Sequence, residues 1–289
     1  MKRLVRMLLH VLCLPLRPCA PRVLLYHSID ATGSPLSLDA AAFAAQMAWL
    51  AARGYATWPA SVYVTALAQG DPLPERLVVL TFDDGYRNNI ELALPILERH
   101  GFVASVFLVT GNAGAAPRWP QRDLPAIRAL LERVYPHVAA AGRERLLADV
   151  LTCLDAEIAS FAAWRAASRR GFEVLSHGHA HRFLDQCSAE ELEADLRLAQ
   201  TELQREGLAG GDVLAWPYGA SDARAAAAAA AAGVRAAFRA EFAWSRRHNR
   251  DLMQLNRVPI DPALGLFGLR FALGKGYELW QWLRAWRRG

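Results

Sequence analysis

The chain has 289 residues, 53% of them apolar, with a formal net charge of +5 and four cysteines. This supports one domain with a sizeable core and excludes a disulfide-stapled mini-protein, because Cys13, Cys19, Cys153 and Cys187 show neither paired metal spacing nor framework density. The basic excess gathers at the two ends, and no basic stripe interleaves with stacking aromatics inside the domain, which excludes nucleic acid as a partner.

In residues 1–20, Lys2, Arg3 and Arg6 border an apolar run whose Leu4, Val5, Leu8, Leu9 and Leu12 share one helical face. The run is too short to span a bilayer and lacks a clean small-residue cleavage site before Cys19. Val23–Tyr26 reads as a strand. Phe43, Met47 and Leu50 recur at helical spacing before Gly54. Leu77 to Phe82 is a continuous apolar run rich in β-branched residues, the signature of a strand buried on both faces in a parallel sheet. It stops at Asp83-Asp84-Gly85. Two adjacent acids at a buried strand end are costly unless a metal or hydrogen bonds compensate, and Gly85 allows a sharp turn. A plain Asp-Asp-Gly turn, with Asp84 capping a helix over Asn88–His100, accounts for the same residues. Ser105–Val109 is the next strand.

From about 118 to 161 the chain runs through helical stretches, Leu124–Val134 and Arg143–Ile158, longer than a simple crossover requires. Such an insertion serves as a lid, as a substrate-binding surface or as helical elaboration. The strand Phe172–Leu175 then leads into His177-Gly178-His179-Ala180-His181, which holds three of the eight histidines. On a helical turn His177 and His181 face the same way, a common spacing for zinc ligands, while His179 points elsewhere; a His-rich surface turn is the other reading. Glu190–Glu206 carries a helical stripe of Leu192, Leu196 and Leu203, and Val213–Trp216 is a strand. Ala225–Ala232 is an alanine helix suited to close packing, and Val234–Phe238 and Leu255–Ile260 are strands. Strands alternating with helices imply an α/β fold with chemistry at the C-terminal strand ends. Tyr277–Arg288 mixes Trp280, Trp282 and Trp286 with Arg284, Arg287 and Arg288, a composition that suits a membrane interface or a helix packed on the domain.

Taken together, the motifs resemble those of the polysaccharide deacetylases of the NodB-homology type, carbohydrate esterase family 4-like. Thr81-Phe82-Asp83-Asp84-Gly85 matches the first family motif. Gly171-Phe172-Glu173 followed by His177 to His181 matches the second, with Gly178 in place of Ser or Thr. Ala215-Trp216-Pro217-Tyr218-Gly219 matches the third without its Arg, and Val23 to Ser28 is similar to the first strand of the poly-N-acetylglucosamine deacetylases. The resemblance covers roughly 22–260 and implies an irregular (β/α) barrel of about seven parallel strands with a helical insertion.

It also implies roles. Asp84, His177 and His181 would hold a divalent metal, zinc before cobalt, nickel or manganese, and Asp83 would be the general base. The backbone N–H of Tyr218 would face the oxyanion, and Trp216, Pro217, Tyr86 and His179 would line the substrate. The family's late Leu-x-His acid is missing, since His248 sits in a polar stretch, which leaves His27 and His179 as candidate acids. Arg257, at the end of the late strand, would stand in for the absent Arg that orients the base. The implied reaction is metal-dependent removal of an N-acetyl group from an amino sugar of a surface polysaccharide or its lipid-linked precursor. Hydrolysis of another acyl amide, such as a formyl group, or a catalytically weak carbohydrate-binding barrel are the alternatives. The expected organisation is 1–20 as a basic apolar segment, 21–262 as the barrel and 263–289 as an amphipathic tail. Both ends are expected to meet a membrane surface on the cytoplasmic side, a periplasmic or anchored location being the alternative.

Overall fold

The computed structural model of the chain describes residues 21–34, 36–116, 157–208, 210–240 and 251–286, together with 124, 125, 127–129, 144 and 147; over 281–286 it describes the backbone alone. The expectations for residues 1–20, for most of the insertion and for His248 lie outside these residues.

The fold is α/β. Strands β1 (Arg22–Tyr26), β2 (Ser28–Ile29) and β3 (Ser37–Leu38) lead into helix α1 (Ala40–Ala52), strand β4 (Ala56–Thr57), helix α2 (Ala60–Gln69) and the long strand β5 (Leu77–Asp84). A π-helical turn, Asn89–Ala93, runs into α3 (Leu94–Arg99), and β6 (Ala104–Leu108) follows. After the insertion come α4 (Phe161–Ser168), β7 (Phe172–Ser176), α5 (Ala189–Arg205), β8 (Val213–Ala215), α6 (Ala223–Ala231), β9 (Ala236–Phe238), β10 (Val258–Pro259), α7 (Gly265–Leu273) and α8 (Lys275–Trp286). Seven parallel strands lie in the order β10-β1-β5-β6-β7-β8-β9, with β4 paired to the start of β5. The segment from Leu255 to Ile260 joins both ends of that order. Leu255 bridges Phe238 of β9, and Val258 pairs Leu24 of β1, so the sheet curls round as a (β/α) barrel.

Alternation along these strands sorts side chains between two cores. Leu24, Tyr26, Val78, Leu80, Phe82, Val106 and Val174 face the helices and pack with Phe43, Met47, Leu97 and Trp164. Val23, Leu77, Val79, Phe107, Leu175, Val213, Ala215 and Phe238 point inward, and Tyr63 and Val64 of α2 fill one end of the interior. α2 has no side-chain cap of its own. Its first amides, on Ala60 and Ser61, are taken by Ser105 Oγ at 2.8 Å and Glu173 Oε2 at 3.2 Å, so inward-facing strand residues cap the helix from below. α6 lays Ala225 and Ala229 against Leu192 and Leu196 of α5, the close approach that methyl-only side chains permit.

Three expectations are corrected. The helix expected from Asn88 opens with a π turn and carries no side-chain cap, so Asp84 is not a capping residue. Ile158, expected in a helix, forms an antiparallel bridge with Tyr86 that pins the returning insertion beside the Asp83-Asp84-Gly85 turn. No packing boundary falls at 263: Leu269, Phe271, Leu273 and Tyr277 are buried in the outer core, Gln46 Nε2 donates to the Gly265 carbonyl at 2.8 Å, and Arg22 pairs with Glu278 at 2.9 Å. Among the described residues no helix is long and apolar enough to cross a membrane.

Candidate active site

β1 and β5 run in register, with Tyr26 opposite Phe82 and the two rings stacked at 5.4 Å on the outer side. The next residues, His27 and Asp83, therefore turn towards the barrel interior. The same alternation carries Leu175 inward and Ser176 outward, and so brings His177 inside; on β8 it leaves Trp216 outward and Pro217 inward. Two consecutive strand residues cannot both face one site, so Asp84 reaches it by breaking the pattern. Its φ is +72°, a left-handed conformation that costs a non-glycine residue about 1–2 kcal/mol, and Gly85 follows at +91°. A Cβ at Gly85 would lie 2.4 Å from Leu108 Cδ1, and the positive φ is one that side chains rarely adopt, so both space and backbone favour glycine.

The histidines do not sit on a helical turn, contrary to the expectation from their spacing. They lie on an irregular loop after β7. Gly178, at φ +75°, and His181, at φ +50°, fold the loop so that the two rings meet with centroids 4.8 Å apart. Asp195 of α5, which the sequence reading overlooked, holds this loop. It accepts the backbone N–H groups of His179 at 2.8 Å and Ala180 at 2.9 Å, and a Cβ on residue 178 would come 2.7 Å from its Oδ2. That contact explains glycine where the resembling motif has Ser or Thr. The clue was a carboxylate on the buried Leu192, Leu196 and Leu203 face of α5.

Asp84, His177 and His181 bring one ligating atom each to within 4.8 Å of one another. Asp84 Oδ1 lies 3.6 Å from His177 Nε2 and 3.3 Å from His181 Nε2. Donors 2.0–2.1 Å from a tetrahedral ion stand about 3.4 Å apart, so these spacings fit. Oδ1 is buried and receives no well-aligned hydrogen bond, as an atom meant for a cation would be. His177 donates from Nδ1 to the Ala215 carbonyl at 2.8 Å, which fixes the tautomer with the Nε2 lone pair towards Asp84. Burial, the largest influence, pushes the His177 pKa down to about 4 against the opposing pull of Asp83, so the ring is neutral at neutral pH. Burial would raise the pKa of Asp84, but contact with His181, then His27 and His177, brings it below the ordinary carboxylate value.

Asp83 stands beside this triad, its Oδ2 3.7 Å from His177 Nε2. Arg257 grips it from the segment that closes the barrel: Nη1 donates to Oδ1 at 2.6 Å and Nη2 to Oδ2 at 2.7 Å. Arg257 is 1% exposed, donates from Nε to the Arg239 carbonyl at 3.1 Å and lies over the Phe107 ring. Burial again works against ionisation of Asp83; Arg257, His177 and His27 outweigh it and hold the pKa below the usual range.

The other expected residues are placed as follows. His27 leaves β1 half-buried, close enough to lower the pKa of both aspartates. Tyr218 has φ +58°, and its ring stacks on Phe183 at 3.9 Å and meets His181 edge-on at 4.5 Å. Pro217 is buried beside Gly178. Two substrate-lining expectations are corrected. Trp216 is 0% exposed, faces the outer core and donates from Nε1 to the Met253 carbonyl. Tyr86 is 0% exposed within the outer core, so neither ring offers a surface to a ligand. His179 is half-buried and turns its Nδ1 to Thr110 and Glu202, at 3.1 and 3.0 Å.

The family model for polysaccharide deacetylase matches residues 70–237, more than half of the chain and the span that carries Asp83, Asp84, His177, His181 and Tyr218. The chain belongs to the polysaccharide deacetylase family. Among its relatives, "Putative polysaccharide deacetylase YxkH" of Bacillus subtilis (strain 168) is 35% identical over 98 residues, 34% of this chain and 35% of that protein. Poly-beta-1,6-N-acetyl-D-glucosamine N-deacetylase of Escherichia coli (strain K12) is 41% identical over 63 residues, 22% of this chain and 9% of that protein. The matches thus span about a third and about a tenth of those two relatives. The solved structure of IcaB from Ammonifex degensii superposes with a TM-score of 0.67 at 19% identity, covering 87% of this chain and 96% of that one, and shares the fold.

Proposed function

We propose that this family member is a metal-dependent hydrolase that removes an N-acetyl group from an amino sugar of a surface polysaccharide or of its lipid-linked precursor. One observation carries the reading: three neutral-or-anionic donors converge at Asp84, His177 and His181, and a second carboxylate, Asp83, is held charged beside them by Arg257. A divalent cation bound by those three residues would supply Lewis acidity, lowering the pKa of an attacking water and polarising the acyl oxygen. Zinc suits the donor set, and cobalt, nickel or manganese share it.

The chain's own groups supply the rest. Asp83 takes the proton of the water whose oxygen bonds to the acyl carbon, and Arg257 keeps its two oxygens in place. The backbone N–H of Tyr218 faces the developing oxyanion. The C–N bond then breaks as His27 gives a proton to the amine nitrogen, releasing acetate and the free amine. The proton on Asp83 passes through solvent back to His27. The basic, Trp-rich composition of Tyr277–Arg288 and the basic, apolar composition of residues 1–20 support a peripheral site on the inner face of the cytoplasmic membrane, where lipid-linked sugars are at hand. Vesicle flotation of the full chain and of one with Trp280, Trp282 and Trp286 replaced by Ala tests that placement, and equal recovery in the soluble fraction refutes it.

Acetate release from β-1,6-linked N-acetylglucosamine oligomers, measured with and without chelator, tests the reaction. Activity that disappears with chelator, returns with zinc and is absent in Asp84→Ala is the expected result. Undiminished release in the chelated protein would refute metal dependence. Release from acylated amines lacking a sugar at equal rate would move the substrate class away from glycans.

A further inference from the structure

His27 is joined to the sheet on one side only. β1 ends at Tyr26, and β2, which starts at Ser28, pairs with β3 outside the main sheet. A group in such a link would wander unless something else fixed it. Two asparagines do so, just beyond the Asp83-Asp84-Gly85 turn. Asn89, 0% exposed, donates from Nδ2 to the His27 carbonyl at 2.8 Å. Asn88 accepts the Ile29 N–H on Oδ1 at 3.1 Å and donates from Nδ2 to Ser28 Oγ at 2.6 Å. Asp30 closes the network from the far side, taking hydrogen bonds from Ser28 and from Ser37, the latter at 2.9 Å. Backbone and side-chain groups of three successive residues are thereby tied to the element that starts right after the two catalytic-site aspartates.

The local chemistry is unusual for a helix start. Asparagine is a poor helix former, and neither residue caps this helix. Instead the turn they open is widened to a π-helix, a form that recurs at functional sites. Burying Asn89 completely has a cost that a surface turn would not need, and its side-chain N–H is spent on the carbonyl of His27, which follows the strand residue paired with Phe82.

We propose that Asn88 and Asn89 are positioning residues that lock His27 to the aspartate turn, so that proton donor and general base keep one fixed separation as the amide breaks. The inference rests on the reading of His27 as the acid. It is tested with Asn89→Leu, which keeps side-chain size and removes the donor, and with His27→Ala, each measured on an N-acetylglucosamine oligomer and on 4-nitrophenyl acetate. An amine is a poor leaving group that needs a proton, whereas nitrophenolate leaves unaided, so a displaced acid hurts the first reaction selectively. Asn89→Leu is expected to lower kcat on the amide about 10- to 100-fold more than on the ester, with KM for the oligomer little changed. Asn89→Gln, which restores the donor, should recover part of the loss. A crystal structure of Asn89→Leu should show the His27 ring displaced from Asp83. An unmoved ring, or equal losses on amide and ester, overturns the positioning role. If His27→Ala itself shows no amide-selective loss, the acid assignment falls, and the purpose of the clamp with it.

Discussion

Two carboxylates point into the barrel from neighbouring parts of the sheet, and they are treated in opposite ways. Glu173 is met by neutral partners: the hydroxyls of Ser61 and Ser105, the latter at 2.6 Å, and the amide of Ser61 at the start of α2. Asp83 is met by a buried guanidinium, with a histidine 3.7 Å away. A carboxylate that only needs to cap a helix can be satisfied by dipoles. One that must stay ionised in a buried, histidine-rich pocket needs a full positive charge fixed in space. Under the proposed function the contrast separates a structural acid from a chemical one within a single motif set, since Glu173 and Asp83 both belong to the stretches that match the family's motifs.

The largest effect that would break this contrast is on turnover. Asp83→Asn is expected to lower acetate release 10²–10⁴-fold, about the range a general base contributes, while Glu173→Gln stays within about threefold of the parent. Equal losses in steady-state assays of the two variants would erase the distinction. Arg257→Ala comes next. It leaves Asp83 buried without its cation and should cost about 3–5 kcal/mol in denaturant unfolding, with Arg257→Lys recovering only part because one ammonium cannot grip both oxygens. An unfolding midpoint equal to the parent would show that Asp83 needs no such partner.

A third prediction concerns acid. As pH falls below 6.5 the unfolded chain binds a proton at His177 that the folded chain refuses until about pH 4, so protonation favours unfolding throughout that window. The metal-free protein should lose about 3 kcal/mol of stability between those limits, and His177→Phe should flatten the slope of a pH series of urea melts. The lowered pKa of Asp83 adds its own loss only at still lower pH, below the ordinary carboxylate range. The smallest effect belongs to Glu173→Gln, expected to lower stability by about 1 kcal/mol, the worth of a charged group at a helix N-terminus, as read from its melting temperature.

The strands were legible because buried parallel strands are written as continuous apolar runs, and Leu77–Asp84 is the clearest. α2 escaped notice. Its Val62, Tyr63, Val64 and Thr65 read poorly as helix, and its cap comes from Ser105 and Glu173, remote in sequence. The C-terminal helices were legible as helices, but their composition could not say that Phe271 and Tyr277 pack into the outer core.

By itself the sequence determined which groups are available to a site: two aspartates at a strand end and a histidine cluster at another are local facts, readable wherever a buried strand stops. Tertiary structure alone decided how they meet. The left-handed turn at Asp84, the fold of the histidine loop over Asp195, the outward side of Trp216 and the reach of Arg257 to Asp83 each depend on backbone angles or on contacts between distant segments. No periodicity along the chain encodes these, because they are set by how the strands close around a shared interior.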